Sequence, residues 1–527
     1  MDEFFTVVPA GQPIPTSERE SAYLRPDNWD DWFSYSTMYT LNVRDASGVM
    51  HLIGSVKIGQ VGMRSDQRRP DLEPSFDVLG LEFFSVGQDD TYYERLNTLG
   101  AELRDRVLTG LRDMAFDPQC LETALKEKVT GVSLLRSVPR ATVQGQYARL
   151  ARGGARLSRY NFSYFSPRKV RSKVPPIEFS FVVEPESMPP SNIHVLIGRN
   201  GVGKTHLLNN MSRSLVDQRS SPPEDVGAFE AGEEDEGPDL FSNLVSVAFS
   251  AFDPFEPLPN RRDRSEGLPC AYVGLKRIGT TSDGKPLPPK SPDSLSREFS
   301  ASVLVCRSQS ARLSRWRRAL HMLEADPIFK AADVVSLAED EFAGDELVED
   351  ELAEDKVKAR ARQLFGSLSS GHKIVLLTIT RLVETVEERT LVLLDEPEAH
   401  LHPPLLSAFV RALSDLLVNR NGVAIVATHS PVILQEVPAQ CVWKVWRNGW
   451  IVQAERPTIE TFGENVGVLT REVFGLEVTD AGFHQLLKAA ARDEEDFEDV
   501  VAKFAGKLGG EARALIRALI VNRKAGK

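Results

Sequence analysis

Cysteine is scarce in this sequence, and the features that mark secreted and membrane proteins are missing. Only four cysteines occur in 527 residues, and their wide spacing matches neither a metal site nor a redox motif: Cys120, Cys270, Cys306 and Cys441. We therefore expect reduced thiols in a cytoplasmic protein. No apolar run approaches the roughly 18 residues that a membrane helix needs. The N-terminus has neither the basic start nor the long apolar stretch of a secretory signal, so we expect no membrane partner.

A surplus of positive charge is also missing. The net charge is −12, whereas a protein that binds mainly phosphate groups usually has a basic face. Two arginine-rich stretches, RRDR at 261–264 and RLSRWRR at 312–318, are candidates for a local basic groove. Solvated loop and helix faces are the favoured interpretation of both stretches. Nucleic acid therefore stays on the list of partners only through such a local groove.

The length of the chain predicts two or three domains. Residues 1–170 are the first predicted region, a mixed α/β accessory region. Within it, alternation of apolar and polar residues predicts a β-hairpin over 36–63, and helical spacing dominates 91–114. We attach no motif of this region to a chemistry.

A second organisation covers residues 171–455 and alternates strand-like and helical patterns. Two of its segments differ in composition from the rest. The stretch 217–240 is acidic and rich in proline and glycine, which predicts a solvated loop. The stretch 293–363 is helical in pattern and strongly charged. A mostly helical C-terminal region, 456–527, follows.

The stretch GRNGVGKT follows an apolar strand-like run and fits the phosphate-loop pattern G-x-x-x-x-G-K-[ST] in full. Small residues let successive backbone N–H groups curl round a phosphate, and the helix that follows directs its positive end at the same anion. In this pattern the lysine reaches the β- and γ-phosphates of the nucleotide, and the threonine hydroxyl holds Mg²⁺. The predicted nucleotide-binding residues are Gly198, Arg199, Asn200, Gly201, Val202, Gly203, Lys204 and Thr205.

A second motif, LVLLDEPEAHLHP, begins with four apolar residues that predict a buried parallel strand. Asp395 stands at the C-terminal end of this strand, where a doubly wound sheet places ligand chemistry. There it can hold the magnesium ion, directly or through water. Glu396 follows at once and suits the general base that polarises the attacking water. A strand end capped by solvated acids is the alternative.

Two further motifs complete the predicted site. The strand in GVAIVATHSPVIL is followed by His429, which we expect on the γ-phosphate side of the site. In LFGSLSSGHK, the residues Ser369, Ser370 and Gly371 open an apolar helix, and hydroxyls with free N–H groups at a helix start form a second anion site. Because the first site has its own phosphate cradle, we expect the second to serve the nucleotide of another subunit.

The order of phosphate loop, serine-glycine signature, Asp-Glu strand and strand-end histidine resembles an ATP-binding-cassette (ABC) ATPase head over about 175–450. LSSGHK is similar to that superfamily's signature, usually LSGGQ, with His372 where glutamine is common. DEPEAHLHP is similar to the branch that includes the overcoming-lysogenisation-defect ATPases and the Septu and retron-associated defence ATPases, and the tail at 462–487 also resembles the Septu or retron type. The resemblance implies an α/β fold: a P-loop NTPase head with a mixed or parallel sheet flanked by helices, an N-terminal α/β region and a helical tail.

The resemblance also implies roles for single residues. The phosphate loop would bind ATP and Mg²⁺, Asp395 would assist the metal, and Glu396 would be the general base. His429 would be the switch histidine. The signature residues Ser369, Ser370 and Gly371 would act in trans, reaching across a head-to-tail dimer to the γ-phosphate in the partner.

Two further features of the sequence bear on the predicted site, a missing glutamine and a pair of histidines. The glutamine that the family carries after the strand at 244–252 is not evident in SAFDPFE, where Ser250 and Asp253 are both candidates to replace it. His400 and His402 have a spacing that suggests a metal site, but in the branch named above HLH follows the Asp-Glu strand routinely. We therefore do not expect them to bind metal.

The leading hypothesis for function is an ATPase, a homodimer or higher even oligomer, that regulates a separately encoded nuclease in a prokaryotic antiphage defence system. The Septu resemblance implies an HNH-type nuclease partner, and the retron resemblance also implies a reverse transcriptase with its nucleic-acid product. A DNA-repair or chromosome-binding clamp like RecF or SMC heads is an alternative that would need a basic surface. A self-contained anticodon nuclease is a third, and it would need a catalytic cluster past the head, where the sequence gives us no nuclease centre.

Overall fold

The structure is a computed structural model. It describes residues 3–9, 11–15, 19–27, 35–64, 67–136, 138, 140–154, 157–168, 175–216, 222–232, 240–250, 255–261, 267–279, 287–308, 310–339, 350–448, 451–475, 482–492 and 496–524. Within these ranges, no helix is both long and apolar enough to cross a membrane.

The described strands and helices alternate along most of the chain. The strands are β1 (Phe5–Val7), β2 (Ser21–Pro26), β3 (Met38–Arg44), β4 (Met50–Gln60), β5 (Ser75–Phe76), β6 (Phe83–Gly87), β7 (Tyr160–Phe165), β8 (Glu178–Val183), β9 (Ile193–Ile197), β10 (Ala228–Ala231), β11 (Asn243–Ala248), β12 (Cys270–Gly274), β13 (Thr390–Asp395), β14 (Val423–Thr428), β15 (Val442–Asn448) and β16 (Ile451–Glu455).

The described helices are α1 (Asp90–Thr98), α2 (Ala101–Gly110), α3 (Pro118–Ala124), α4 (Arg140–Thr142), α5 (Ala148–Ala151), α6 (Lys204–Val216), α7 (Pro223–Val226), α8 (Pro292–Arg307), α9 (Ser310–Leu323), α10 (Pro327–Ala331), α11 (Asp350–Ser367), α12 (Ser370–Thr385), α13 (Pro403–Arg420), α14 (Pro431–Leu434), α15 (Val466–Phe474), α16 (Phe483–Ala491), α17 (Phe497–Lys503) and α18 (Gly510–Lys524). Short π-helical or 3₁₀ turns lie at Thr130–Leu134, Val143–Tyr147, Val334–Ala338, Pro397–His400 and Ala439–Cys441.

The N-terminal part is a six-stranded sheet in the order β5-β1-β2-β3-β4-β6, which shares its core with α1, α2, α3 and α5. Strands β3 and β4 pair antiparallel, as the alternation over 36–63 predicts. The helical pattern over 91–114 forms two helices instead of one. Gly100 separates them with a φ of 94°, a left-handed conformation that side chains disfavour, and α2 starts directly after it.

A small antiparallel sheet in the order β10-β7-β8 differs from two predictions. Strand β10 lies inside 217–240, so this acidic stretch is not a loop throughout: Ala228–Ala231 pairs with β7, and Phe229 packs against Tyr164. The acidic, glycine-rich composition of 217–240 led to the prediction of a loop, and the short apolar segment within it was overlooked. Strand β7 also lies before the predicted boundary at residue 170 yet pairs with β8. The pairing favours a boundary before Tyr160, and the domain limits themselves stay a prediction.

The largest sheet of the described chain has seven strands in the order β12-β11-β13-β14-β9-β15-β16, parallel except for β16. Successive side chains of a strand point to opposite faces. In β13, Leu391 and Leu393 accordingly pack into the core shared with α6 and the small sheet. Val392 and Leu394 pack into the core under α8, α9, α11, α12 and α13. Both faces are covered, which explains the continuous apolar runs of these strands.

The charged segment 293–363 provides much of the helical layer, and the C-terminal residues form a small helical unit. Helices α8, α9, α10 and the described part of α11 carry the predicted helical character of 293–363, while 340–349 lie outside the described residues. Helices α16, α17 and α18 share a core of their own. The mixed α/β head with a sheet flanked by helices and a helical C-terminal segment confirms the predicted fold class.

Buried ion pairs join the N-terminal sheet region to the helical layer. Asp90 of α1 is 1% exposed, and its Oδ2 lies 3.0 Å from Nη1 of Arg420, at the end of α13. Arg420 also pairs with Glu387, and burial of this guanidinium is outweighed by these two acids, so that the pKa of Arg420 is raised. Arg315 and Arg312 of α9 approach the same acids.

This arrangement differs from both interpretations of the stretch 312–318. Arg312 and Arg315 are 7% and 14% exposed, respectively, and Arg318 pairs with Asp415. The stretch is therefore neither a basic groove nor a plain solvated face, because its arginines are largely used by ion pairs inside the chain. Of the other stretch, only Arg261 lies within the described residues.

We expect Arg420→Met to lower the free energy of unfolding by about 3–5 kcal/mol, because Asp90 would remain buried, and Glu387 partly buried, without their main cation. The midpoint of urea denaturation measures this effect. Arg471→Met is the matched control, since Arg471 is 62% exposed in its pair with Glu511 and should change stability by less than about 0.5 kcal/mol. Equal effects of the two substitutions would contradict a role for the buried cluster.

Candidate nucleotide site

The phosphate loop follows β9, which lies between β14 and β15 in the parallel sheet. Gly198 comes so close to the next strand that an added Cβ would lie 2.1 Å from the carbonyl oxygen of Val445. Gly201 and Gly203 have φ values of 83° and 105°, which favour glycine. Three glycines are thus needed here for geometric reasons, and the loop leads directly into α6 at Lys204.

Lys204 is the buried cation of the site. Its side chain is 4% exposed, and Nζ donates to the carbonyl oxygens of Gly198 and Arg199 at 2.9 and 3.0 Å. Burial lowers the pKa of Lys204. The charges of Glu396, Glu398 and Asp395 oppose this shift without cancelling it. The loop therefore closes around its own ammonium group.

Asp395 and Thr205 lie on the same cavity, as the proposed magnesium chemistry requires. Asp395 ends β13 and is in register with Ala248 of β11 and Ala427 of β14. The cavity is lined by Thr205, Asp395, Ser246, Glu256, Tyr272 and Lys276 among others. A hydroxyl and a carboxylate are oxygen ligands of the kind that Mg²⁺ prefers. The residues present therefore fit a bound Mg²⁺ together with the phosphates in the adjacent loop.

Glu396 stands between the lysine and the histidine. Its Oε1 lies 4.0 Å from Nζ of Lys204 and 3.7 Å from Nδ1 of His429. Its backbone has a φ of 45°, a left-handed conformation unusual for glutamate, and its N–H donates to the carbonyl oxygen of Ala427 at 2.9 Å. One third of the side chain is exposed. The carboxylate is thus held at the strand end with access to solvent water.

Glu398 is a site residue that the sequence reasoning missed. It is 7% exposed, and its Oε1 accepts a hydrogen bond from the backbone N–H of His429 at 2.8 Å and another from the hydroxyl of Thr428. The same oxygen lies 3.2 Å from Nδ1 of His429. The signal was present in DEPE, where a second glutamate follows Glu396 by two positions. Glu398 fixes the end of β14 and the place of His429.

The signature residues lie apart from this group. Ser369 and Ser370 are exposed at the start of α12, and Ser369 is its N-cap residue. Gly371 is buried, and an added Cβ would lie 2.5 Å from the carbonyl oxygen of His400. Asp253 lies outside the described residues, and Ser250 lies two positions after the end of β11. The replacement for the family's glutamine therefore stays open.

No group of three or more His, Cys, Asp or Glu suitable for a metal ion occurs in the described ranges. His402 is about half exposed, and its Nε2 lies 3.4 Å from Asp326 Oδ2.

The structure brings the phosphate loop, Asp395, Glu396 and His429 together at one edge of the sheet. It places Ser369, Ser370 and Gly371 at a separate helix start.

Comparison with known proteins gives a family for the chain. A family model described as "AAA domain, putative AbiEii toxin, Type IV TA system" matches residues 286–435, a range that includes the signature, the Asp-Glu strand and His429. Protein ea59 of Escherichia phage lambda is 40% identical over 529 residues, which cover 99% of each chain.

Three solved structures are also similar, at low TM-scores. An inward-facing putative metal-chelate type ABC transporter is 16% identical, with a TM-score of 0.29, over 60% of this chain and 88% of the other. The ADP conformation of MJ1267, an ATP-binding cassette of an ABC transporter, is 14% identical, with a TM-score of 0.29, over 61% and 96%. UvrA2 from Deinococcus radiodurans is 16% identical, with a TM-score of 0.26, over 60% and 39%.

The phosphate loop at the end of a central parallel strand, the buried lysine and the Asp-Glu strand define a P-loop ATPase of the ABC/AAA type. This class confirms the coarse prediction from the sequence. The chain belongs to the family of the phage lambda protein ea59. The narrower resemblance to Septu and retron ATPases stays a prediction.

We expect Glu398→Gln to lower kcat for ATP hydrolysis about tenfold while KM changes less than about twofold, because the backbone N–H of His429 loses a charged acceptor while every residue of the phosphate loop is kept. Steady-state release of phosphate measures both constants. Glu224→Gln on the exposed α7 is the matched control. A change confined to KM would remove Glu398 from this role.

Proposed function

We propose that the chain binds and hydrolyses ATP in a head-to-tail dimer with two composite sites. Each triphosphate would be held by the phosphate loop of one copy and by Ser369, Ser370 and Gly371 of the other. The observation that carries the proposal is the exposure of both serines at the N-terminus of the 16-residue helix α12. Such a helix end attracts anions, while the chain already has a complete phosphate loop elsewhere.

In the proposed reaction, a water molecule attacks the γ-phosphorus of ATP and the products are ADP and phosphate. Glu396 would accept a proton from this water, for which its partial exposure beside Lys204 is suited. Lys204 and His429 would bind the γ-phosphate oxygens. Thr205 and Asp395 would hold Mg²⁺, which neutralises charge on the phosphate oxygens.

We propose further that this ATPase regulates a separately encoded nuclease in antiphage defence. The motif resemblance to Septu and retron ATPases supports this role, and it implies an HNH-type nuclease, with a reverse transcriptase and its product in the retron case. A relative over the whole length is carried by a phage, which supports a function in conflicts that involve phages. A RecF-like clamp has less support, because three of the four arginines of 312–318 form ion pairs within the chain.

We expect Glu396→Gln to bind ATP, to hydrolyse it at least about 100-fold more slowly and to accumulate as an ATP-bound dimer, since loss of the base leaves binding intact. Sedimentation velocity with and without ATP measures the association. Lys204→Ala is the matched control and should neither bind ATP nor dimerise with it. Equal hydrolysis by Glu396→Gln and the unchanged protein would contradict the assignment of the base.

The regulatory role predicts a stable complex with the product of a neighbouring gene. Copurification of the tagged chain with its operon neighbours, followed by assay of nuclease activity with and without ATP, tests it. We expect a nuclease to copurify and its activity to differ between Lys204→Ala and the unchanged chain. A nuclease activity that is the same with both chains would contradict regulation through the ATP site.

A further inference from the structure

His372, the third residue of α12, is buried beside the proposed signature serines. Its side chain is 5% exposed, and its ring packs edge-on against Phe329. Nδ1 lies 2.6 Å from the hydroxyl oxygen of Ser369, and Nε2 lies 3.1 Å from Oδ1 of Asp326. The ring therefore joins a serine at the surface to a buried carboxylate.

Asp326 is held firmly in place. It caps α10, where its Oδ1 accepts hydrogen bonds from the backbone N–H groups of Ile328 at 2.8 Å and Phe329 at 3.3 Å. Burial raises the pKa of Asp326, but these hydrogen bonds and the one from His372 outweigh burial, so the pKa lies below its usual value. An ionised carboxylate can only accept hydrogen bonds.

The carboxylate of Asp326 determines the direction of the hydrogen bond between His372 and Ser369. Because Asp326 accepts, Nε2 of His372 donates. In the neutral ring, Nδ1 then carries no proton and accepts the hydroxyl proton of Ser369. The hydroxyl group is thus oriented by a buried partner, although it stands at an exposed helix start.

The second oxygen of Asp326 reaches the loop that carries the proposed base. Oδ2 lies 3.4 Å from Nε2 of His402, six positions after Glu396. The same loop touches α12 a second time, because Gly371 packs against the carbonyl oxygen of His400. A continuous series of contacts, through His402, Asp326 and His372, therefore links the loop after Glu396 to Ser369 at the start of α12.

The geometry points to Asp326 and His372 as positioning residues for the ATPase reaction: they orient the hydroxyl of Ser369 and hold it to the loop of Glu396 in the same chain. This inference rests on the proposed two-chain site, in which Ser369 of one copy serves the triphosphate of the other. A shift of the Glu396 loop at one ATP then moves the serine that serves the second ATP.

A double-mutant cycle on the full-length protein tests this coupling. Ser369→Ala should lower kcat about tenfold through the loss of one hydrogen bond to a charged group. His372→Gln should lower kcat about fivefold, because glutamine can reach Asp326 but has no group at the position of Nδ1. The kcat of the double variant should equal that of Ser369→Ala within about twofold. The affinity of an isolated subunit for ATP should be unchanged in all three variants.

Matched controls and a second variant keep the result decisive. Ser367→Ala and His321→Gln change an exposed serine of α11 and an exposed histidine of α9 and should leave kcat unchanged. If His372→Gln does not fold, His402→Ala replaces it in the cycle, since His402 is about half exposed, with an expected loss of about threefold. Effects that multiply in the double variant, or no effect of the histidine variants, would overturn the inference.

Mixed dimers separate this inference from the two-chain site itself. One copy carries Lys204→Ala, so that a single ATP site remains, and His372→Gln is placed in either copy. The loss should appear only when His372→Gln is in the copy with Lys204→Ala, because that copy supplies the serine to the intact site. An equal loss in both arrangements would overturn the inference, whereas full activity of Ser369→Ala would overturn the two-chain site.

Discussion

The buried ammonium group of Lys204 is the interaction on which the site depends. Three carboxylates, Asp395, Glu396 and Glu398, stand near this buried ammonium group, and all three act on its pKa. A bare triphosphate would meet these carboxylates directly. The site therefore suits a triphosphate that brings a divalent cation with it, since the ion is then the largest local charge. The hydroxyl of Thr205 and the carboxylate of Asp395 border the cavity where such an ion would lie.

The central sheet lets one edge carry this chemistry while both faces stay packed. Alternate residues of β13 belong to different cores, one under α6 and one under the helical layer. The ends of β9, β13 and β14 are adjacent because β14 lies between the other two. Local strand order thus brings residues from about 200, 395 and 429 into contact. At the opposite ends of the strands, Glu388 before β13 pairs with Arg149 of the N-terminal region, and Arg420 before β14 pairs with Asp90.

Local motifs were predictable from the sequence, and long-range partners were not. The phosphate loop, Asp395, Glu396 and His429 are identified by spacing within a few residues of a strand end. Asp326, by contrast, meets His372 across 46 positions, and Arg420 meets Asp90 across 330, so no short pattern contains either pair. Strand β10 was missed because an acidic, glycine-rich stretch surrounds its few apolar residues. The break at Gly100 had a local cause that a strict helical periodicity overlooks.

Helix α12 connects the proposed signature serines to the salt bridges with the N-terminal region. Its 16 residues correspond to a length of about 24 Å, with the two exposed serines at one tip. Just past the C-terminal end of α12, Glu387 pairs with Arg420, which also pairs with Asp90 of the N-terminal region. Glu388 pairs with Arg149, which belongs to the same region. In the proposed two-chain site, a displacement of these serines on ATP binding would tilt the whole helix and so reach this distant salt-bridge cluster. The N-terminal region is accordingly where a mechanical readout of the nucleotide state would emerge.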